Sequence, residues 1–249
     1  MPARAFIFPL ILLAVFSCRK SSSPDCLKRT GEETTEQRFP GIFTGVEANN
    51  KAEVTISHGA AYQVEVIAGA HLLRKIMTRV ENGILKIEDR NTCHMVRGYR
   101  RTGVKVRVTL PYLVRVINKG VATVRVEPGF LQDSIRIQAE SPGDVHLAGH
   151  YAWLNLYANG NSDIYLSGSC DRLEVFMNGT GFLRAEALQP GLYAFIETMS
   201  VGDVYINART LKTLSFVIRG HGNIYCLGQP AKVSGTYRDS PGGRLIYQD

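Results

Sequence analysis

No Gly-Lys-Ser/Thr follows a glycine-rich loop in this chain, and no third glycine completes a dinucleotide fingerprint. Nucleotide-binding P-loops and Rossmann turns are thereby excluded. The one stretch that invites such a reading, "IRGHGNIYCLGQP" (Ile218 to Pro230), lacks the helix whose N-terminus would face a phosphate. After Gly222 comes a short run of β formers that stops at Gly228 and Pro230. Gly-x-Ser-x-Gly and His-Glu-x-x-His are also missing, which removes the α/β-hydrolase and zincin signatures. The six histidines are scattered. His146 and His150 stand four apart in a strand and a corner, where they do not converge as on a helix. There is no recognised nucleic-acid-binding motif. The C-terminal half has no capped segment of 3.6-residue period.

What is present is a repeat. "SPGDVHLAG", "GNSDIYLSG", "GTGFLRAEA", "SVGDVYINA", "GHGNIYCLG" and "SPGGRLIYQ" succeed one another. The small residue before each strand falls at Gly143, Ser162, Gly181, Gly202, Gly222 and Gly243, at spacings of 19, 19, 21, 20 and 21 residues. A period near 20 with glycine punctuation marks stacked supersecondary units. Two and four residues past each landmark stand apolar pairs such as Val145/Leu147 and Ile164/Leu166. Eight, six and four residues before it stand sets such as Leu154/Leu156/Ala158 and Leu173/Val175/Met177. Period-2 alternation puts each set on one strand face. Each unit then has two half-buried strands joined by a glycine corner. Only stacked neighbours can close its core. The sequence predicts an all-β protein whose C-terminal half is a parallel β-helix, or β-solenoid, with rungs of ~20 residues.

The N-terminal half reads as β as well. "AEVTISH", "YQVEVIAG", "GILKIED", "VKVRVTLP" and "LVRVINKG" alternate in period 2 between Asn and Gly turns. "AHLLRKIMTRV" carries Leu72, Leu73, Ile76, Met77 and Val80 at helical spacing, so a short helix is an alternative there.

The leader "MPARAFIFPLILLAVFSC" has Arg4, an apolar run from Ala5 to Phe16, and a small residue directly before Cys18. The run is too short to span a bilayer and fits an export signal. Its end resembles a bacterial lipobox, with Cys18 as the lipidated residue. An ordinary cleaved signal with an incidental cysteine is the alternative. "RKSSSPD" then reads as a polar tether. The expected organisation is signal peptide 1–17, tether 18–37, a β-rich region 38–118 and solenoid repeats 119–249. Export permits disulfides. Cys226 falls on an inward strand position, and Cys170 lies three rungs away, about 14 Å at the usual strand spacing, beyond disulfide reach. Cys26 and Cys93 are by elimination the candidate pair.

These features together resemble the auto-transporter adhesin head domain, or head GIN domain, a family of Gram-negative cell-envelope proteins. The resemblance runs from "RFPGIFTGVEANNKAEVTISH", starting at Arg38, to "GNIYCLGQP". The family's Gly-Ser-Gly-Asp-Ile phrase stands here as Ser-Pro-Gly-Asp, Gly-Asn-Ser-Asp and Gly-His-Gly-Asn. It implies a β fold and an envelope location, expected here as an outer-membrane lipoprotein held to the membrane by its N-terminal lipid.

Three features bear on what the surface meets. From Arg74 to Arg125 there are 13 Lys and Arg against 3 acidic residues, in a chain of net charge +7. That is either a basic surface for anionic glycan, lipopolysaccharide or membrane, or a set of solvated strand faces. Asp144, Asp163, Asp203 and Asn223 share one repeat position. They form either a calcium row or, as the broken row and the 20-residue period favour, turn chemistry with no metal. Three residues past each landmark stand His146, Tyr165, Arg184, Tyr205 and Tyr225. In a parallel stack these make one outward column, able to stack on sugar rings or simply on itself. The function expected is a non-catalytic, adhesin-like module without a cofactor, presenting a repetitive face to glycan or envelope protein and not to nucleic acid. A structural envelope protein without a ligand is the alternative, and a polysaccharide-acting β-helix enzyme comes third.

Overall fold

A computed structural model of the chain describes residues 30–92, 103–239 and 242–249. Its strands, in chain order, are β1 (Glu33–Arg38), β2 (Gly45–Asn50), β3 (Glu53–His58), β4 (Gln63–Gly69), β5 (Ile76–Glu81) and β6 (Ile84–Asp89). Then come β7 (Lys105–Leu110), β8 (Arg115–Gly120), β9 (Val124–Val126), β10 (Leu131–Ala139), β11 (Val145–Gly160) and β12 (Ile164–Gly179). The last are β13 (Leu183–Thr198), β14 (Val204–Asn207), β15 (Thr213–Ile218), β16 (Ile224–Leu227), β17 (Lys232–Tyr237) and β18 (Leu245–Gln248).

The repeat builds a β-solenoid with parallel rungs. β11, β12 and β13 bend midway, so the start of each belongs to one face and the end to another. On the first face, Val145 pairs with Ile164, Ile164 with Leu183, Leu183 with Val204, and Val204 with Ile224. On the second, Leu154 pairs with Leu173, Leu173 with Ala194, and Ala194 with Leu214. All of these residues are fully buried. Alternation thus makes apolar columns, each large side chain contributing about 1.5–3 kcal/mol of burial.

The rungs are not stacked in chain order throughout. β2 lies between β6 and β8, and β3 between β7 and β9, all in parallel register. The unit β2–β3 is therefore slotted between the outer rung β6–β7 and the rung β8–β9, from which the stack continues through β10 and β11. The outer rung is covered by antiparallel strands: β5 on β6, β4 on β7, and β1 on β4. The final edge, β1, is exposed from Glu33 to Gln37 and carries Glu33 and Glu36, a charged edge that resists further pairing.

The segment of helical spacing forms a single 3-10 turn, Leu73–Lys75, followed directly by β5. Leu72, Leu73 and Ile76 are buried, but pairing with β6 decides the rest of the segment: tertiary contacts override the local period.

Glycines stand at the corner because rungs approach closely. A Cβ on Gly181, Gly202 or Gly222 would lie 1.9, 2.1 or 2.1 Å from the carbonyl oxygen of the residue one rung below. Gly222 is not in the left-handed region, so proximity and not φ selects glycine here. Buried polar side chains complete the corner. Asn118 donates to the carbonyls of Ala122 (3.1 Å) and Gly143 (2.9 Å) and accepts from the Gly120 N–H (3.0 Å). Ser200 takes a comparable place, donating to the Gly179 carbonyl (2.9 Å) and accepting from the Gly202 N–H (3.1 Å).

Candidate functional site

The column three residues past each landmark is in register. His146 lies opposite Tyr165, Tyr165 opposite Arg184, Arg184 opposite Tyr205, and Tyr205 opposite Tyr225. It ends at Ile246 and continues beyond His146 through Arg125 to Thr55 and Arg107. The His146 and Tyr165 rings stack at 4.4 Å and 7°, and those of Tyr205 and Tyr225 at 4.8 Å and 9°. The Arg184 guanidinium sits over Tyr205 at 4.3 Å, a cation–π contact in the middle of the ladder. Tyr165 is exposed and His146, Arg184, Tyr205 and Tyr225 are half-buried.

A cleft of about 460 Å³ runs beside this ladder, lined by Arg125, His146, Tyr165 and Arg184 together with Glu127 and Glu186. Burial lowers the His146 pKa from its ordinary 6.5; the Arg125 charge adds to this and Asp144 opposes it. The imidazole is thus held neutral, in keeping with its stack on Tyr165. Burial, followed by the Asp203 carboxylate, pushes the Tyr205 hydroxyl pKa up.

The aspartate row does backbone work. The Asp144 carboxylate accepts the Asp163 N–H at 3.2 Å, and Asp163 that of Phe182 at 2.9 Å. Asp203 accepts from Asn223 at 2.7 Å, and the Asn223 side-chain oxygen accepts the Arg244 N–H at 3.0 Å. Each side chain reaches one rung onward, so the hydrogen bonds are between rungs and not within one turn. Among the described residues no group of three or more His, Cys, Asp or Glu is placed to hold a metal ion.

Five of the basic residues in this stretch are seen to pair with carboxylates. Arg79 meets Glu81 and Glu88, Lys86 meets Glu81, and Arg90 meets Glu88. Arg107 lies 3.6 Å from Glu65, and Lys119 lies 3.3 Å from Glu47. The hydrogen bond from Lys86, then that from Arg79, holds the Glu81 carboxyl below its usual range. Alternating Lys and Arg on adjacent strands find carboxylates on the neighbours, which the linear sequence does not display.

A second ladder escapes the repeat reading of the sequence. Tyr157 and Phe176 stack at 4.8 Å and 8° on the second face, with Phe195 tilted at 5.6 Å and 55°. The 19-residue recurrence of aromatics at 157, 176 and 195 is its signal. Phe195 tilts because two register shifts, one after Tyr165 and one after Cys170, set it opposite Glu174 instead of Phe176.

Cys170 and Cys226 are free and buried. Burial pushes both thiols up to about 12, with Asp171 adding to it at Cys170, so neither is a nucleophile at neutral pH. The lipidation residue Cys18 and the pair Cys26 and Cys93 lie outside the described residues.

Stacked parallel rungs, an antiparallel cap and an outward ladder over close-packed glycine corners define a β-solenoid surface module. Residues 42–230 match the family described as "Putative auto-transporter adhesin, head GIN domain". The chain belongs to this family. It is similar in fold to a "putative adhesin" from Bacteroides fragilis, at 20% identity and a TM-score of 0.78, covering 87% of this chain and 97% of that one. A protein of the same description from Parabacteroides distasonis has 16% identity and a TM-score of 0.66, with 88% and 98% covered. A "putative lipid binding protein" from the same organism has 16% identity and a TM-score of 0.61, also with 88% and 98% covered. No curated protein matches the chain. No helix among the described residues is long and apolar enough to cross a membrane.

Proposed function

We propose that this protein is a lipid-anchored, non-catalytic, adhesin-like module of the bacterial cell envelope that offers its ladder face to glycan or protein. The adhesin family and the adhesin-like neighbours support an envelope role of this kind. The observation that carries the reading is the ladder itself. His146, Tyr165, Arg184, Tyr205 and Tyr225 form one in-register row beside an open cleft. Rings and a guanidinium at rung spacing offer repeated stacking and hydrogen-bonding edges to an extended chain of sugars or a peptide strand. The aspartates that an enzyme or a calcium site would use are engaged by backbone N–H groups of the next rung.

In this reading residues 1–17 direct export, Cys18 carries the lipid that holds the protein to the outer membrane, and the part of the 18–37 tether that precedes β1 (Glu33–Arg38) sets its distance from the bilayer. Cys26 and Cys93 join the tether to the β-rich part.

A second reading, a structural envelope element without a ligand, is favoured by the same stacks, since Tyr205 and Tyr225 already pack on each other. A glycan and envelope-protein array probed with the soluble form, residues after Cys18, separates the two. Selective binding that competes with a ladder-directed antibody supports the recognition module. A blank array supports the structural element.

A further inference from the structure

On the second face, away from the ladder, lies a cleft of about 410 Å³ under the turn that joins β5 to β6. Its rim is the Asn82–Gly83 turn, fixed because the N–H groups of Thr44 and Gly45 both donate to the Gly83 carbonyl, at 2.9 and 3.1 Å. Its floor is the parallel run of β2, β8, β10 and β11. Gly45 pairs with Arg115, Arg115 with Arg136, Arg136 with Asn155, and Ser134 with Trp153. At Gly45 the strands close in: an added Cβ would lie 3.1 Å from Ile84 Cγ1 and 3.5 Å from Arg115 Cβ. Trp153 forms the far wall and is 44% exposed.

The charge of this cleft is one-sided. Arg115 and Arg136 line it, and no carboxylate among the described residues does. The ladder cleft balances Arg125 and Arg184 with Glu127 and Glu186. A third depression, near Tyr151, carries Asp133 and Asp171 without Lys or Arg. Arg115 and Arg136 are register partners on adjacent strands, about 4.8 Å apart in backbone spacing, where like charges repel. Arg136 is held by its neighbours: its Nε donates to Asn155 Oδ1 at 3.2 Å, and Asn155 Nδ2 donates to Glu174 Oε2 at 3.2 Å. Asn155 is itself buried, so a packed side chain orients the guanidinium.

We infer that this cleft binds an acidic saccharide, with the sugar ring on Trp153 and its carboxylate or sulfate between Arg115 and Arg136. A partly exposed indole supplies a flat apolar face for a sugar ring. Two guanidinium forks side by side match a planar or tetrahedral anion and relieve their own repulsion when it arrives. A neutral sugar leaves that repulsion in place. The site is separate from the ladder and does not depend on the ladder binding anything.

Trp153 is the chain's one tryptophan, so its fluorescence reports this cleft alone. The test titrates the soluble protein with tetragalacturonate, a chondroitin sulfate tetrasaccharide and neutral cellotetraose. A saturable fluorescence change with either acidic probe and none with cellotetraose is expected, the responding probe identifying carboxylate or sulfate. Arg115→Gln and Arg136→Gln should each weaken binding roughly tenfold or more. By calorimetry, Trp153→Phe should bind within a few-fold and Trp153→Ala should lose binding. Should an arginine variant fail to fold, raising the ionic strength on wild-type protein replaces it: binding must fall. Tyr165→Ala must leave the titration unchanged. No response to either acidic probe, equal response to cellotetraose, or wild-type affinity in both arginine variants would overturn the assignment.

Discussion

The carboxylate of Asp203 accepts the backbone N–H of Asn223 at 2.7 Å, across one rung of the solenoid. The same side chain also accepts from Asn223 Nδ2 at 3.3 Å. A recurring aspartate in this fold thus replaces a strand-to-strand bond where the corner interrupts the ladder. Asp203→Ala removes the acceptor, and a charged hydrogen bond to a half-buried backbone group is worth about 1.5–3 kcal/mol. Urea unfolding should show a loss in that range, with Asp203→Asn recovering part of it. Calcium should leave the melting temperature unchanged; a saturable stabilisation by calcium that is lost in Asp203→Ala would contradict this role.

Gly222 is a matter of space. Its added Cβ would sit 2.1 Å from the Gly202 carbonyl oxygen and 2.8 Å from its carbon, and neither rung can yield without disturbing the strands on both sides. Gly222→Val, and already Gly222→Ala, should destabilise by about 1–3 kcal/mol in thermal melts. The exposed neighbour His221 should accept Ser with little change, and nucleotides should not shift the melt. Wild-type stability in Gly222→Ala would refute the close-approach argument.

The C-terminal rungs were legible because their information is local and periodic: each landmark predicts a corner, and each alternating set predicts a core column. The outward column His146 to Tyr225 came from the same count. Three things were not legible. The slotting of β2–β3 between β6–β7 and β8–β9 is a choice of partner between segments some 40 to 70 residues apart in the sequence, and no local pattern encodes it. The slip that tilts Phe195 depends on two irregularities in the pairing of β12 with β13. Trp153 and Arg115 lie far apart in the chain and share a cleft only because β10 joins their rungs.

His146 carries a pH dependence whose sign is fixed by its surroundings. Burial, reinforced by Arg125, lowers its pKa below 6.5 in the fold. The unfolded chain therefore binds the proton more readily. The contribution is fully present above pH 6.5, declines as pH falls toward the folded pKa, and stays lost below it. An NMR titration of the imidazole should give a folded value under 6.5, moving upward in Arg125→Ala. A folded value above 6.5 would contradict the stacked, neutral ring.

The cysteines divide by place. Cys170 and Cys226, buried with thiols pushed up to about 12, should resist iodoacetamide in the native protein and react after unfolding. Non-reducing peptide mapping of exported protein should find Cys26 joined to Cys93, and Cys18→Ala should abolish acyl labelling. Native alkylation of Cys226, free Cys26 and Cys93, or labelling that survives Cys18→Ala would each defeat the corresponding assignment.

Recognition at the ladder face is the central property proposed for this protein. The most direct measurement compares the array binding of the soluble wild-type protein with that of Tyr165→Ala/Arg184→Ala, both checked for matching circular dichroism. The double variant leaves the buried columns intact and removes the centre of the ladder, between His146 and Tyr205. The predicted result is binding by the wild type that falls at least tenfold in the variant. Equal binding by the two proteins would contradict it.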